Sequence, residues 1–204
     1  MKITEISKVG KGLRYKVYAD GEFAGIFEAE ILARYQVKTG NEYSLEEFEE
    51  IKLANGDYAC FDMALGALGH GMKTEKALIE SLQKKGYPDS SIEKAVEKVK
   101  EYGYLNDREY ADNYIKTYAS TKGRRKLKCE LLNKGVPADI VAEALEAIDG
   151  DEQLESCRRL AEKYLRNKVK DDKLQQKLYR HLISKGFDFS TAAQVLSEVK
   201  NDWD

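Results

Sequence analysis

The chain has 204 residues, of which 42% are hydrophobic and 34% are charged, with a formal net charge of −2. This composition excludes an intrinsically disordered chain, and the small net charge gives no global preference for nucleic acid or an anionic membrane. The sequence begins without the apolar segment of a secretory signal, and no apolar run approaches the ~18 residues that span a bilayer. We therefore expect a cytoplasmic protein.

Charge is distributed unevenly along the chain. Between Glu28 and Asp62 there are nine acidic and three basic residues. Seven basic residues and one acidic residue lie between Lys116 and Lys134, and the segment 158–185 has ten basic and three acidic residues. Such blocks fit either surfaces that steer a charged partner or simply solvated helix faces.

The first 35 residues differ from the rest and favour β-structure. Two β-prone runs, Arg14–Ala19 and Glu22–Phe27, flank Asp20 and Gly21. Asp-Gly favours a tight hairpin turn because both central residues of that turn need positive φ. A further strand is predicted around Lys2–Val9. The sequence thus predicts a small N-terminal sheet built around a hairpin.

A short helix is predicted after this sheet. Ser44 and Glu47 have the spacing of a capping box, in which each side chain bonds to the other residue's backbone N–H. We assign residues 1–54 to an N-terminal extension made of the hairpin and this short helix.

From about Asn55 onward the sequence is helical and repeats. Three glycines recur at intervals of 49 and 51 residues, each after a lysine and with leucines four and eight residues earlier; they are Gly86, Gly135 and Gly186. The leucine pair forms the apolar stripe of a helix, and glycine supplies the left-handed residue that ends it.

The repeat continues on both sides of each glycine. Ser90, Asp139 and Ser190 share one offset and are predicted to cap the following helix. Further helices are predicted upstream of the leucine pairs, at residues 57–68, 107–119 and 153–165. Each repeat therefore has three helices, and we place the repeats at residues 55–105, 106–150 and 151–204.

The predicted fold is mainly α: three tandem three-helix repeats that form an elongated curved array, preceded by the hairpin and helix extension. Repeats of this size bury apolar surface against their neighbours and present extended binding surfaces. The cysteines, Cys60, Cys129 and Cys157, are far apart and odd in number, so they are predicted to be small buried hydrophobic residues rather than disulfide or zinc ligands.

The sequence offers no catalytic, cofactor or metal site. The two histidines, His70 and His181, lie in different repeats without further ligands at metal-binding spacing. The segment 66–74 resembles a phosphate-binding loop, but Met72 separates Gly71 from Lys73, and Thr74 fits better as a helix cap. We therefore expect a binding protein rather than an enzyme.

Several segments resemble one family. The run from Gly103 to Ala111, GYLNDREYA, resembles the signature of the RecX family, the bacterial regulators of the RecA recombinase. The Lys122-Gly123 pair, the basic helix after it, the segment 131–136 and the closing Lys185-Gly186-Phe187 are also similar to that family. The resemblance extends from about Asp57 to the end of the chain.

The resemblance implies a protein that binds RecA and its filaments on single-stranded DNA, and we expect it to be a monomer. Such a protein would lie in the filament groove and inhibit strand exchange, ATP hydrolysis and co-protease activity, with roles in DNA repair, recombination and the SOS response. Weak direct binding to DNA is compatible with it.

The predicted contacts with RecA or DNA are basic residues of the second and third repeats. In the second repeat they are Lys122, Arg124, Arg125, Lys126 and Lys128, and in the third Arg158, Arg159, Lys163 and Arg166. Family members often carry an arginine-rich stretch just before the Ser/Thr cap of the first repeat. This chain has GHGMK there, at residues 69–73, so Lys73 is the one basic residue of that stretch and the predicted contact of the first repeat. Asn106 or Asp107 is predicted to cap a helix, whereas Tyr104, Leu105, Tyr110 and Ala111 are predicted to be packing residues.

Two other interpretations remain open from the residues alone. A protein that affects recombination by binding DNA itself would also use the two basic blocks. A generic helical-repeat adaptor fits the periodicity but leaves the signature around Tyr104 unexplained. The sequence does not decide whether the basic residues contact protein or phosphate.

Overall fold

The computed structural model describes residues 1–166, 168 and 173–201, apart from the side chains of residues 200 and 201. Part of the third-repeat basic block, residues 167 and 169–172, therefore lies outside the described residues. The chain divides into two compact units. The first contains Met1–Met72 and Leu78–Leu105, and the second contains Lys73–Ala77 and the chain from Asn106 onward. Among the described helices, none is long and apolar enough to cross a membrane.

The N-terminal sheet has three antiparallel strands in the order β1-β2-β3: β1 (Ile3–Val9), β2 (Arg14–Ala19) and β3 (Glu22–Glu28). Asp20 and Gly21 have φ of 51° and 82°, as the turn between β2 and β3 requires. The predicted hairpin and the strand before it are confirmed.

The second helix, α2 (Leu45–Gly69), corrects one prediction. The Ser44–Glu47 capping box is present, with hydrogen bonds of 2.7 and 3.1 Å. However, the helix continues past residue 54, so the short helix and the helix predicted at 57–68 are one continuous element.

The cause of this difference is the environment of Asn55, which with Gly56 resembles a helix break in the sequence. The Asn55 side-chain amide instead bonds to the edge of β3, accepting from Glu28 N–H at 2.8 Å and donating to Ile26 O at 3.0 Å. Because this amide is occupied by the sheet, it does not compete for the helix backbone.

The other helices confirm three helical repeats. Their bounds are α1 (Ala29–Arg34), α3 (Glu75–Lys84), α4 (Asp89–Glu101), α5 (Asp107–Tyr118), α6 (Arg124–Asn133), α7 (Ala138–Glu146), α8 (Gly150–Leu165), α9 (Leu174–Ser184) and α10 (Phe189–Asn201). The three turn glycines have φ of 82°, 87° and 89°, and all six leucines before them are fully buried. Glycine is needed there because other residues rarely adopt such φ values.

The predicted caps are correct at Ser44, Thr74 and Asn106 and wrong in three other places. Asn106 accepts from two N–H groups of α5, at 3.0 and 3.2 Å, and Thr74 accepts from Ala77 N–H at 3.2 Å. The three residues predicted to cap the last helix of each repeat, Ser90, Asp139 and Ser190, instead lie in its first turn. In α10 the side chain of Asp188, two residues before Ser190, accepts from Thr191 N–H at 2.7 Å.

Two of the three cysteines are buried as predicted, namely Cys60 and Cys157. Burial raises the pKa of the Cys60 thiol to about 11 and that of Cys157 to about 12. Cys129 is exposed, which contradicts the prediction, because it lies on the solvent side of α6. All three thiols are free.

The start of α6 is fixed by the turn after α9. Gly123 N–H donates to Lys185 O at 2.9 Å, and Arg125 N–H donates to Gly186 O at 3.1 Å. A Cβ added at Gly123 would lie 2.2 Å from Gly186 O and from Phe187 N. The two backbones therefore touch directly, and two segments that the sequence singled out prove to be in contact.

Candidate partner-binding surface

The basic helix α6 presents cations to solvent. Arg124, Arg125 and Lys128 are exposed and Lys126 is half-buried, while Leu127 is fully buried on the opposite side. In the part of the chain that the structure describes, Lys128 has no acidic group within ion-pair distance. The surface position that a partner contact needs is therefore present, although the contact itself stays a prediction.

Both arginines of α6 already contact other parts of the protein. The Arg124 guanidinium donates to the Ile148 carbonyl oxygen, and its backbone N–H donates to Gln153 Oε1 at 3.2 Å. The Arg125 guanidinium carbon lies 5.0 Å from the ring centroid of Phe189, a side chain that is 58% exposed. Arg124 thus supports the fold, whereas Arg125 and Phe189 form a cationic and aromatic surface.

The Lys122 side chain contacts acidic and aromatic side chains within the protein. Its Nζ lies 2.7 Å from Glu130 Oε2, 3.3 Å from the Tyr114 hydroxyl and 4.0 Å from the ring centroid of Tyr118. Burial opposes ionisation of Glu130, but hydrogen bonds from Lys122 and Tyr114 outweigh it and lower the pKa of this carboxyl. The charge of Lys122 is therefore balanced by Glu130, the single acidic residue between Lys116 and Lys134.

The arginines predicted on α8 also have acidic partners. Arg158 forms a bidentate pair with Glu198 of α10, at 2.7 and 2.9 Å, and lies 3.7 Å from Glu155. Arg159 lies 3.9 Å from Glu155 and donates to Ser156 Oγ at 3.4 Å. The hydrogen bonds from Arg158 hold the pKa of Glu198 at about 2. These contacts join α8 to α10 and reduce the free positive charge of this helix.

The Arg158–Glu198 pair predicts how stability depends on pH. The folded-state pKa of Glu198 is depressed, so its contribution is complete above its ordinary pKa of about 4.5 and is lost as pH falls towards about 2. We expect Glu198→Gln to lose less stability than the wild type between pH 6 and pH 3, by a small margin because the pair is partly exposed. Urea unfolding followed by circular dichroism at both pH values would measure this; equal losses would contradict it.

The remaining predicted contacts are Lys163, Arg166 and Lys73. Lys163 and Arg166 are exposed at the end of α8. Lys73 is half-buried and precedes Thr74, whose hydroxyl donates to Lys134 O at 2.7 Å. Lys73 therefore belongs to a structurally constrained helix start in the second unit.

A groove of about 790 Å³ in the second unit was not predicted from the sequence. It lies between α5, α7 and α8, with an apolar floor that includes Ile115 and Ile148. Its rim combines cations and anions: Arg108, Lys116, Arg159, Asp112, Asp151, Glu152 and Glu155. No sequence pattern marks this groove, because its walls come from three helices that meet only in the folded chain.

One tyrosine of the signature differs from its predicted role. Tyr104, predicted to be a packing residue, is 61% exposed, and the neighbouring Tyr102 is 57% exposed. Leu105 and Ala111 are buried as predicted, with exposed fractions of 5% and 0%. The apolar residues of the signature thus anchor the chain, whereas Tyr104 is available at the surface.

The two histidines have different surroundings. The ring of His181 stacks on Tyr164 with centroids 4.6 Å apart, and burial, together with the nearby Lys185, lowers its pKa. His70 is exposed at the end of α2. Over the described residues, no group of three or more histidine, cysteine, aspartate or glutamate side chains is placed to hold a metal ion.

Comparison with known families identifies all three repeats. Residues 60–98, 106–145 and 151–196 match the family models of the first, second and third three-helix domains of RecX. Each matched segment corresponds to one of the helical repeats described above.

Similar proteins cover nearly the whole chain. It is 34% identical over 206 aligned positions to the regulatory protein RecX of Clostridium perfringens strain 13, covering 98% of this chain and 97% of that protein. The Listeria welshimeri protein of the same name is 32% identical over 100% of this chain and 78% of its own length.

Solved structures agree with these sequence matches. A crystal structure of regulatory protein RecX superposes with a TM-score of 0.73 at 25% identity, over 95% of this chain and 98% of that one. The RecX structure from Lactobacillus salivarius gives 0.66 at 25% identity, over 72% of this chain and 98% of that one. The three domain matches, the near full-length relatives and the shared fold show that the chain belongs to the RecX family of regulatory proteins.

Proposed function

We propose that this protein binds RecA filaments on single-stranded DNA in the cytoplasm and inhibits their ATPase, recombinase and co-protease activities. It acts by binding as a monomer and not by catalysis. The observation that carries the proposal is the exposed side of α6, where Arg125 lies over the ring of Phe189 and Lys128 is open to solvent. Membership of a family of regulatory proteins supports it.

The composition of this surface favours a protein partner over bare phosphate. Leu132 on α6 is 39% exposed, and Phe189 is 58% exposed beside Arg125. Arginine and aromatic side chains are enriched in the cores of protein interfaces, whereas DNA backbone sites need mainly cations. Acidic side chains on RecA would pair with Arg125 and Lys128.

The test is steady-state ATP hydrolysis by RecA on single-stranded DNA, titrated with this protein. We expect inhibition well below one molecule per RecA protomer, because a filament-bound regulator affects several subunits. Direct binding to the same DNA without RecA is measured in parallel at several salt concentrations.

Full ATPase activity at equimolar protein would contradict the proposal. Tight binding to bare DNA with a steep salt dependence, at the concentrations that inhibit, would favour the DNA-binding alternative.

A further inference from the structure

Three aromatic rings in the first unit form what we term the exposed aromatic cluster: Phe61, Tyr102 and Tyr104. Phe61 and Tyr102 meet edge to face with ring centroids 6.1 Å apart, and Tyr102 and Tyr104 do so at 6.0 Å. Both tyrosines expose more than half of their surface. Because both tyrosine rings are open to solvent, a partner can contact them directly.

The backbone holds these rings in place. Gly103, with φ of 72°, ends α4 by donating its N–H to Lys100 O at 2.9 Å. Tyr104 N–H then donates to Val99 O at 2.9 Å, and Leu105 enters the core with 5% exposure. Since a hydrogen-bonded turn presents them, little backbone entropy would be lost when a partner binds.

The surroundings of the cluster favour a cationic group. Lys98 Nζ lies 4.3 Å from the ring centroid of Phe61, so one ring of the cluster already carries a cation. Glu101, next to Tyr102, is exposed. The first unit has 17 acidic and 13 basic residues, a formal charge of −4. This charge repels nucleic acid and attracts basic side chains.

We propose that the exposed aromatic cluster binds an arginine side chain in a segment of the partner protein. The planar guanidinium stacks on the face of Tyr102 or of Tyr104, because the two ring planes lie 69° apart and one plane cannot cover both. The exposed carboxylate of Glu101, the residue before Tyr102, would pair with the same guanidinium. Arginine is favoured over lysine because it stacks on aromatic rings and is less strongly hydrated. This inference rests on the proposed function insofar as the partner is a protein.

The first test uses a blocked Gly-Arg-Gly-Arg-Gly peptide and follows the tyrosine ring signals of the full chain by NMR. We expect saturable shifts at Tyr102 and Tyr104, with affinity at least threefold higher than for the lysine analogue. The double variant Y102F/Y104F should retain binding, and Y102A/Y104A should lose it. Equal affinity for both peptides, or shifts produced only by a ten-residue oligothymidine, would overturn the proposal.

The second test separates this inference from the proposed function. In the RecA ATPase titration, Y102A/Y104A should need at least fivefold more protein for half-inhibition, whereas the exposed-tyrosine control Tyr35→Ala should match the wild type. If the wild type inhibits and Y102A/Y104A inhibits equally, the inference fails while the proposed function stands. If the wild type does not inhibit, the proposed function fails, and the peptide titration still decides whether the cluster binds arginine.

Discussion

Replacing Gly123 by alanine is expected to lower the free energy of unfolding by about 3 kcal/mol. The added Cβ would lie 2.2 Å from Gly186 O and Phe187 N, far inside contact distance. Gly123 has φ of −76°, which alanine adopts freely, so the cost comes from the contact and not from backbone strain. Gly186 O also accepts from Arg125 N–H, so the turn cannot retreat without losing that hydrogen bond.

Urea unfolding followed by circular dichroism measures this effect, with Gly56→Ala as the matched control. Gly56 lies inside α2, and a Cβ there meets no atom within 4 Å. Alanine in a helix interior is favoured over glycine by about 1 kcal/mol, so the same substitution should stabilise the protein at this position. A Gly123→Ala protein as stable as the wild type would contradict the tight contact.

The repeats could be predicted from the sequence because their signals are local. A leucine pair and a turn glycine specify one helix and its end within eight residues. The caps were misplaced by two residues because Ser and Asp favour both the cap and the first turn. In the third repeat the true cap, Asp188, and the predicted one, Ser190, are both good capping residues, and their side chains bond to each other at 2.7 Å.

The candidate partner-binding surface could be predicted only in part from the sequence. Two of the predicted contacts, Arg125 and Lys128, are exposed. However, the bonds of Arg124 to Ile148 and of Arg158 to Glu198 join residues 24 and 40 positions apart. Charge in the sequence does not show which cations are paired in the fold. Burial of the signature residues also depended on the turn at residue 103, which sends Leu105 inward and leaves Tyr104 outside.

Two turn glycines have a similar second role, which periodicity did not reveal. A Cβ at Gly186 would lie 2.3 Å from Lys126 Cβ, and one at Gly135 would lie 2.4 Å from Lys76 Cδ. In both cases the turn packs against the first residues of another helix, α6 or α3. These glycines are needed both for positive φ and for close approach, so side chains there would be doubly unfavourable.

The exposed side of α6 should carry the largest functional effect. We expect the double charge reversal R125E/K128E to need at least tenfold more protein for half-inhibition of RecA ATPase, about 1.4 kcal/mol or more of lost binding. Two reversals replace attraction to an acidic partner surface with repulsion. Arg124 is left unchanged because its bond to the Ile148 carbonyl supports the fold.

The control is K8E/K11E, which changes the net charge by the same amount at two exposed lysines of the N-terminal sheet region. If inhibition depends on the α6 surface, this control should inhibit like the wild type, and circular dichroism should show both variants folded. Equal weakening by both pairs would mean that net charge and not the α6 surface governs binding. Unchanged inhibition by folded R125E/K128E would remove α6 from the contact, because a reversed charge cannot be neutral at the centre of an electrostatic interface.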